Sequence, residues 1–244
     1  MRYYRVQRLR RLAHPGRGFT QGLVVRGTTV WESSGLYGQS CLRRYELGAR
    51  EPERSGPLAA DLFGEGICHV GDHLWQLTWR ERVALRWHPD TLDLLETARY
   101  NREGWGICRV GERLVTSDGS SELVWRDQQT LEPLGIIKVR IAGHRLDGLN
   151  DLDWSAGRIW ANIWPKPYLA GIDPASGEVT DVVDARAVRE RLPADPDAVM
   201  NGVAALHAAD EFLLTGKGWR FLHHVRLTES PRRYPRLNQL LGWD

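Results

Sequence analysis

The sequence predicts an all-β protein, a five-bladed β-propeller whose ring is closed by its own N-terminal strand. Three observations carry this: a short motif recurs five times, a second strand-like run follows every copy, and a spare strand at the N-terminus matches a shortfall at the other end. The motif first reads GFTQGLVV at 18–25. It returns as FGEGICHV (63–70), EGWGICRV (103–110), GLNDLDWS (148–155) and MNGVAALH (200–207). Aligned on Gly22, Gly66, Gly106, Asp151 and Gly202, the copies stand 44, 40, 45 and 51 residues apart. Four short strands per unit at that period are the signature of propeller blades.

Each element follows in order. The second runs are TTVWESSG (28–35), DHLWQLTW (72–79), ERLVTSDG (112–119), GRIWANIW (157–164) and EFLLTGKG (211–218), each reached through a turn such as Arg26-Gly27 or Gly71-Asp72. Third strands come next: SCLRRYEL, RVALRWHP, SELVWRDQ, YLAGIDPA and FLHHVRLT. Turns at 88–92, 127–131 and 173–177 then lead to fourth, more variable strands. The fifth unit lacks a fourth strand, and residues 2–12, which include RYYRVQRLRR, supply it, removing two exposed edges. The expected organisation is one propeller domain over 1–244, with blades starting near 18, 63, 104, 148 and 200. The long last interval holds an insertion at 184–199, read as a short helix capped by Asp184 and then a surface loop. A β-sandwich with irregular hairpins is the competing fold.

The bulk numbers bound the function classes. The chain has 244 residues, with 42% hydrophobic and 26% charged residues and a formal charge of +2. That near balance gives no reason to expect a nucleic-acid partner. Arg2, Arg5, Arg8, Arg10 and Arg11 cluster at the start, but they alternate with Tyr4 and Val6 as the solvated face of a strand does. Cys41, Cys68 and Cys108 are odd in number and widely spaced, unlike a disulfide framework or a metal motif, and are expected to be small buried residues. No stretch reaches the length of a membrane span. The start lacks the apolar core and cleavage site of a secretory signal, so the expectation is a protein that stays in the cytoplasm, or an exported one whose leader has been trimmed. The outlier is tryptophan, with 11 residues, several beside polar side chains in repeated contexts. Indoles make rigid, amphipathic pocket walls as readily as core.

In a propeller the innermost strands line the central channel, so equivalent residues meet around the axis. Here these are Gln21, Glu65, Trp105, Asn150 and Asn201. The second runs supply a further ring near one end: Glu32, Gln76 with Trp79, Asp118, Asn162 with Trp164, and Lys217 with Trp219. Apolar walls with a few placed polar groups form the profile of a small-ligand site. Glu65 is the only acid among the five axial positions, and it stands between two glycines, open to close approach.

The chain resembles the plant-type and bacterial glutaminyl-peptide cyclotransferases, five-bladed propellers. The matching segments are FTQGL (19–23), ESSGLYGQS (32–40), FGEGI (63–67), QLTW (76–79), GWG (104–106), SDGSS (117–121), GLNDLDW (148–154), ANIW (161–164), NG (201–202) and TGKGW (215–219). They run in order through all five units. The resemblance implies that Glu65 is the proton-transfer group and that Phe19, Gln21, Trp79, Trp105, Asn150, Trp164 and Lys217 line the pocket. With Gln76 and Asn162 from the second ring, these form the expected substrate site. Two departures stand out: Pro165-Lys166-Pro167 replaces the family's polar stretch after NIW, and the family's LNEL segment is LNDL here, making Asp151 one methylene shorter.

The implied reaction closes an N-terminal glutamine of a peptide to pyroglutamate and releases ammonia. Nucleophile and electrophile belong to one residue, so the chemistry asks for a folded rotamer, a proton shuttle and an oxyanion donor. Lys217, an indole N–H, or the amide of Asn150 or Gln21 could be that donor. No cofactor is expected to be required, a structural calcium ion remains an open expectation, and the expected state is a monomer acting on peptides or proteins with N-terminal Gln, away from nucleic acid and membrane. The contrasting readings are a non-catalytic propeller that binds peptide N-termini or a protein partner, and a propeller hydrolase or lactonase with an axial calcium. The last would want several axial carboxylates.

Overall fold

The chain is all-β. A computed structural model describes residues 1–190, 196–231 and 236–242. Three consecutive four-stranded antiparallel sheets follow the first motif copies. The first holds β2 (Thr20–Arg26), β3 (Thr29–Ser34), β4 (Cys41–Glu46) and β5 (Arg54–Pro57). The second holds β6 (Gly64–Val70), β7 (His73–Thr78), β8 (Val83–Trp87) and β9 (Leu94–Arg99). The third holds β10 (Ile107–Val110), β11 (Arg113–Thr116), β12 (Glu122–Asp127) and β13 (Pro133–Lys138). A small hairpin, β14 (Arg140–Ile141) and β15 (His144–Arg145), comes next.

The remaining strands share one eight-stranded sheet. One half is β16 (Leu149–Ser155), β17 (Arg158–Ile163), β18 (Tyr168–Ile172) and β19 (Val179–Asp184). The other half is β20 (Met200–Ala205), β21 (Glu211–Gly216) and β22 (Phe221–Glu229), extended by the N-terminal strand β1 (Arg2–Ala13). β1 runs antiparallel to β22 along most of its length. Its first residues, Arg2 to Arg5, pair in parallel with Asp181 to Asp184 of β19 and so join the two halves. All five arginines of β1 are exposed, while Val6 is buried. Arg2 Nε donates to Asp181 Oδ1 at 2.7 Å, and Arg11 lies over the Phe221 ring.

The first strands of successive units touch in a closed order: β2 against β6, β6 against β10, β10 against β16, β16 against β20, and β20 back against β2. Apolar clusters follow the same order. Trp31 and Leu42 pack with Ile67 and Leu74, Cys68 and Trp75 with Ile107 and Leu114, and Val115 with Leu152 and Ile159. Leu169 and Val183 pack with Val203 and Phe212, and Leu23 and Tyr45 with Ala204 and Leu213. The motif glycines permit this crowding. A Cβ on Gly66 would stand 2.7 Å from Gly106 Cα, and one on Gly106 would collide with the Asn150 carbonyl. Where the fourth copy carries Asp151 instead of glycine, the carboxylate reaches across and accepts the Val203 N–H at 2.9 Å; Asp153 does the same for Ala205 at 2.6 Å.

The turns have local causes. Asp127 Oδ1 accepts the N–H groups of Gln129 and Thr130, and Asp173 Oδ1 those of Ala175 and Ser176, closing Asx turns before β13 and β19. Two tryptophans bind neighbouring sheets through turns: Trp31 Nε1 donates to the Pro89 carbonyl, in a turn closed by His88 Nδ1, and Trp75 Nε1 to that of Gln128. The expected helix in the insertion is a single 3-10 turn, Arg186–Val188, with Asp184 Oδ1 accepting the Arg186 N–H. The end of that insertion lies partly outside the described residues. A short C-terminal helix, α1 (Leu237–Leu241), docks Leu240 into the core beside Tyr168. The three cysteines are buried free thiols. No described helix is long and apolar enough to cross a membrane.

Candidate active site

Antiparallel pairing brings the start of each first strand beside the end of each second strand. At those ends lies a cavity of about 330 Å³. Its lining gathers Phe19, Gln21, Glu65, Trp79, Trp105, Asn150, Trp164 and Lys217 with Leu36, Phe63 and Asp197. The ladders break where the polar residues stand: register shifts fall between Thr20 and Gly22, Gly64 and Ile67, Leu149 and Leu152, and Met200 and Val203. A bulge re-aims a side chain out of the alternation of its strand. Gln21, Glu65, Asn150 and Asn201 all sit in these breaks.

Glu65 is only 4% exposed. Its carboxyl accepts the Gln21 Nε2–H at 3.1 Å, and Gln21 Oε1 in turn accepts from Asn201 Nδ2 at 2.9 Å. Asn201 Nδ2 is anchored further by the Thr20 carbonyl. Burial pushes the Glu65 carboxyl well above the usual carboxylate range; Lys217 pulls it down, while Asp151, Glu81 and Glu103 push it up. Lys217 Nζ stands 4.9 Å from the centre of the Phe19 ring, a cation–π distance. The Asn150 side-chain Oδ1 is buried without a hydrogen-bond partner among the described residues.

The walls are aromatic and interlocked. Trp105 and Trp164 meet edge to face at 5.7 Å between centroids, and Phe63 meets Trp79 at 5.5 Å and Phe19 at 6.3 Å. Trp164 is the most exposed wall, at 39%. Gly119, with φ +81°, leaves room for Trp105: a Cβ there would stand 2.8 Å from the indole. Leu36 also has a positive φ, 90°, in the loop that brings it to the rim.

Other expected side chains lie elsewhere. Gln76 and Asn162 do not line the cavity: they sit within β7 and β17 and pack between sheets, whereas Trp79 and Trp164 stand just past the ends of those strands. Gln76 Nε2 donates to Ser33 Oγ, and its Oε1 accepts from Trp87 Nε1; Asn162 Oδ1 accepts the Gly202 N–H. Glu32 is fully buried against His14, Thr20 and Tyr45. Asp118 pairs with Arg102, and Trp219 is buried with its N–H on the Ala198 carbonyl. Of the unexpected wall residues, Phe63 had a signal, since it holds in FGEG the place of Phe19 in FTQG. Leu36 and Asp197 had none. Among the described residues, no group of three or more His, Cys, Asp or Glu is arranged to hold a metal ion.

The sequence profile of the glutamine cyclotransferase family matches residues 1–227. A glutaminyl-peptide cyclotransferase of Arabidopsis thaliana is 30% identical over 222 residues, covering 89% of this chain and 69% of the relative. The crystal structure of Myxococcus xanthus glutaminyl cyclase superposes with a TM-score of 0.87 at 33% identity, covering 94% of this chain and 99% of that one. With a match that runs from the first residue through β21 and most of β22, the chain belongs to the glutamine cyclotransferase family.

Proposed function

We propose that the protein is a glutaminyl-peptide cyclotransferase that converts N-terminal glutamine to pyroglutamate by general acid/base catalysis in the Glu65 cavity. One observation carries the reading: a buried carboxyl of raised pKa forms part of an aromatic-walled cavity that also holds a lysine. Family membership supports the reaction class. We read the four-stranded units as five blades of one propeller, with β1 completing the fifth. The closed order of contacts among the first strands and the likeness to the Myxococcus structure support that reading.

The glutaminyl side chain enters between Trp79, Trp105 and Trp164, which favour the coiled rotamer over the extended one. The neutral α-amine attacks the carboxamide carbon, forming the C–N bond of the ring, and Glu65 takes one amine proton. The carbonyl oxygen becomes an oxyanion. Glu65 then returns the proton to the carboxamide nitrogen, the C–NH₂ bond breaks, and ammonia leaves. The amide anion is a poor leaving group, so the nitrogen must be protonated before it departs as ammonia, and this second transfer matters most. The choice of oxyanion donor narrows. The indole N–H groups of Trp79 and Trp105 are both held by Glu103, and Gln21 Nε2 is held by Glu65. Lys217, Asn150, Trp164 and the second N–H of Gln21 Nε2 are the cavity donors of this reading.

The test is incubation with a panel of Gln-initiated dipeptides while ammonia is followed. Release supports the reading; no release from any of them favours a protein that binds N-termini without turning them over. The lysine adds a pH signature. Its positive charge holds the Glu65 pKa down, so Lys217→Met raises that pKa, and the acid limb of the kcat profile moves to higher pH. A limb that stays in place separates Lys217 from the proton shuttle.

A further inference from the structure

We propose that Glu103 is a positioning residue that holds the two indole walls, Trp79 and Trp105, in the spacing that folds the glutaminyl side chain; the inference rests on the cyclotransferase reading above. One carboxylate oxygen, Oε2, accepts both indole N–H groups, from Trp79 at 2.9 Å and from Trp105 at 3.4 Å. The two tryptophans come from different sheets: Trp79 follows β7, and Trp105 precedes β10. A backbone bond from Gly104 N to the Trp79 carbonyl brings the segments together but leaves both ring torsions open. The shared oxygen couples the two rings to each other, adding to the packing of Phe63 on Trp79 and of Trp164 on Trp105. The other oxygen, Oε1, lies 3.7 Å from Arg80 Nε, and the Arg80 guanidinium covers the Trp79 ring at 3.9 Å. Carboxylate, guanidinium and two indoles thus form one unit behind the wall. Glu103 does not line the cavity itself.

The reaction makes this spacing consequential. Ring closure within one residue gains its rate from holding amine and carboxamide in near-attack geometry, and a displacement of about 1 Å costs on the order of 10²-fold. Without the shared acceptor, each indole turns separately and the cavity admits extended rotamers that do not react. The loss falls on KM and kcat together.

Two substitutions separate this role from charge. Glu103→Ala and Glu103→Gln both remove one negative charge facing Glu65, where Lys217, Asp151 and Glu81 also act. Only alanine removes the acceptor for the indoles. The expected result is a kcat/KM lowered by about tenfold or more in Glu103→Ala, largely rescued in Glu103→Gln, with the acid limb shifted equally in both. In ¹⁵N-indole spectra the Nε1–H resonances of Trp79 and Trp105 move and exchange faster in Glu103→Ala but not in Glu103→Gln. Equal impairment of the two variants, or unmoved indole resonances in Glu103→Ala, overturns the proposal. Should the wild-type protein release no ammonia, the cyclotransferase reading fails, while the indole spectra still decide whether Glu103 clamps the walls.

Discussion

Glu65→Gln lowers kcat on a Gln-initiated dipeptide by about 10²–10⁴-fold while the protein stays folded. The amide has the same shape and keeps a partner for Gln21, but it can neither take the amine proton nor return it to the departing nitrogen. Stability gives an independent control. The folded-state pKa of Glu65 is raised, chiefly by burial, so its contribution to stability is present below the unfolded value and is lost as pH rises through the folded one. The variant lacks that titration. Its melting temperature therefore gains on the wild type as pH rises above the ordinary carboxylate range. Measuring ammonia release and thermal unfolding on the same samples checks both statements. Retention of most activity by a folded Glu65→Gln protein would remove Glu65 from the mechanism.

Glu32→Gln destabilises the fold by about 3–5 kcal/mol, the loss expected when one partner of a buried ion pair is removed. His14 Nδ1 donates to the Trp219 carbonyl at 2.8 Å, and His14 Nε2 lies 2.9 Å from Glu32 Oε1. Both side chains are wholly buried. Two acceptors on one ring call for an imidazolium. Burial works against that charge, but Glu32 and its hydrogen bond, with the bond to the Trp219 carbonyl, raise the His14 pKa overall. Burial likewise works against the Glu32 carboxylate, but His14, Arg43 and Thr20 lower its pKa overall. Tyr45 OH donates to the second carboxylate oxygen.

The sign of the pH dependence follows. The His14 contribution is complete below the unfolded histidine value near 6.5 and fades as pH climbs through its raised folded value. The Glu32 contribution is complete above the unfolded value near 4.5 and fades as pH drops through its lowered one. The pair therefore stabilises most between those two values. Denaturant titration of wild type and Glu32→Gln across that range reads the difference directly, and a loss below about 1 kcal/mol would mark the pair as no better than an exposed one. The pair also lies next to the site. It ties the end of β1 to the Trp219 turn beside Lys217, and through Thr20 to the strand that carries Gln21.

Much of the cavity was legible from repetition. Gln21, Glu65, Trp79, Trp105, Asn150, Trp164 and Lys217 all lie at repeated positions, Phe19 came only with the family resemblance, and the structure brings all eight to one lining. Repetition works because the first strands of neighbouring units touch one another, so residues at one phase of the motif are brought together from successive copies.

What the sequence by itself determined was an all-β chain, the positions of its strands and turns, and the phase of the motif at which polar residues recur. These depend on local patterns: alternation, turn chemistry and a recurring glycine. Tertiary structure alone decided which polar residues reach the cavity and which serve packing. Gln76 and Asn162 stand in second strands near wall tryptophans, yet inside those strands they meet Ser33, Trp87 and Gly202, while the tryptophans stand past the strand ends. Nothing local relates His14 to Glu32, or Glu103 to two indoles. A buried charge or an indole N–H takes whatever partner the closed arrangement of sheets delivers, and that delivery depends on long-range packing of segments whose sequences carry no mutual signal.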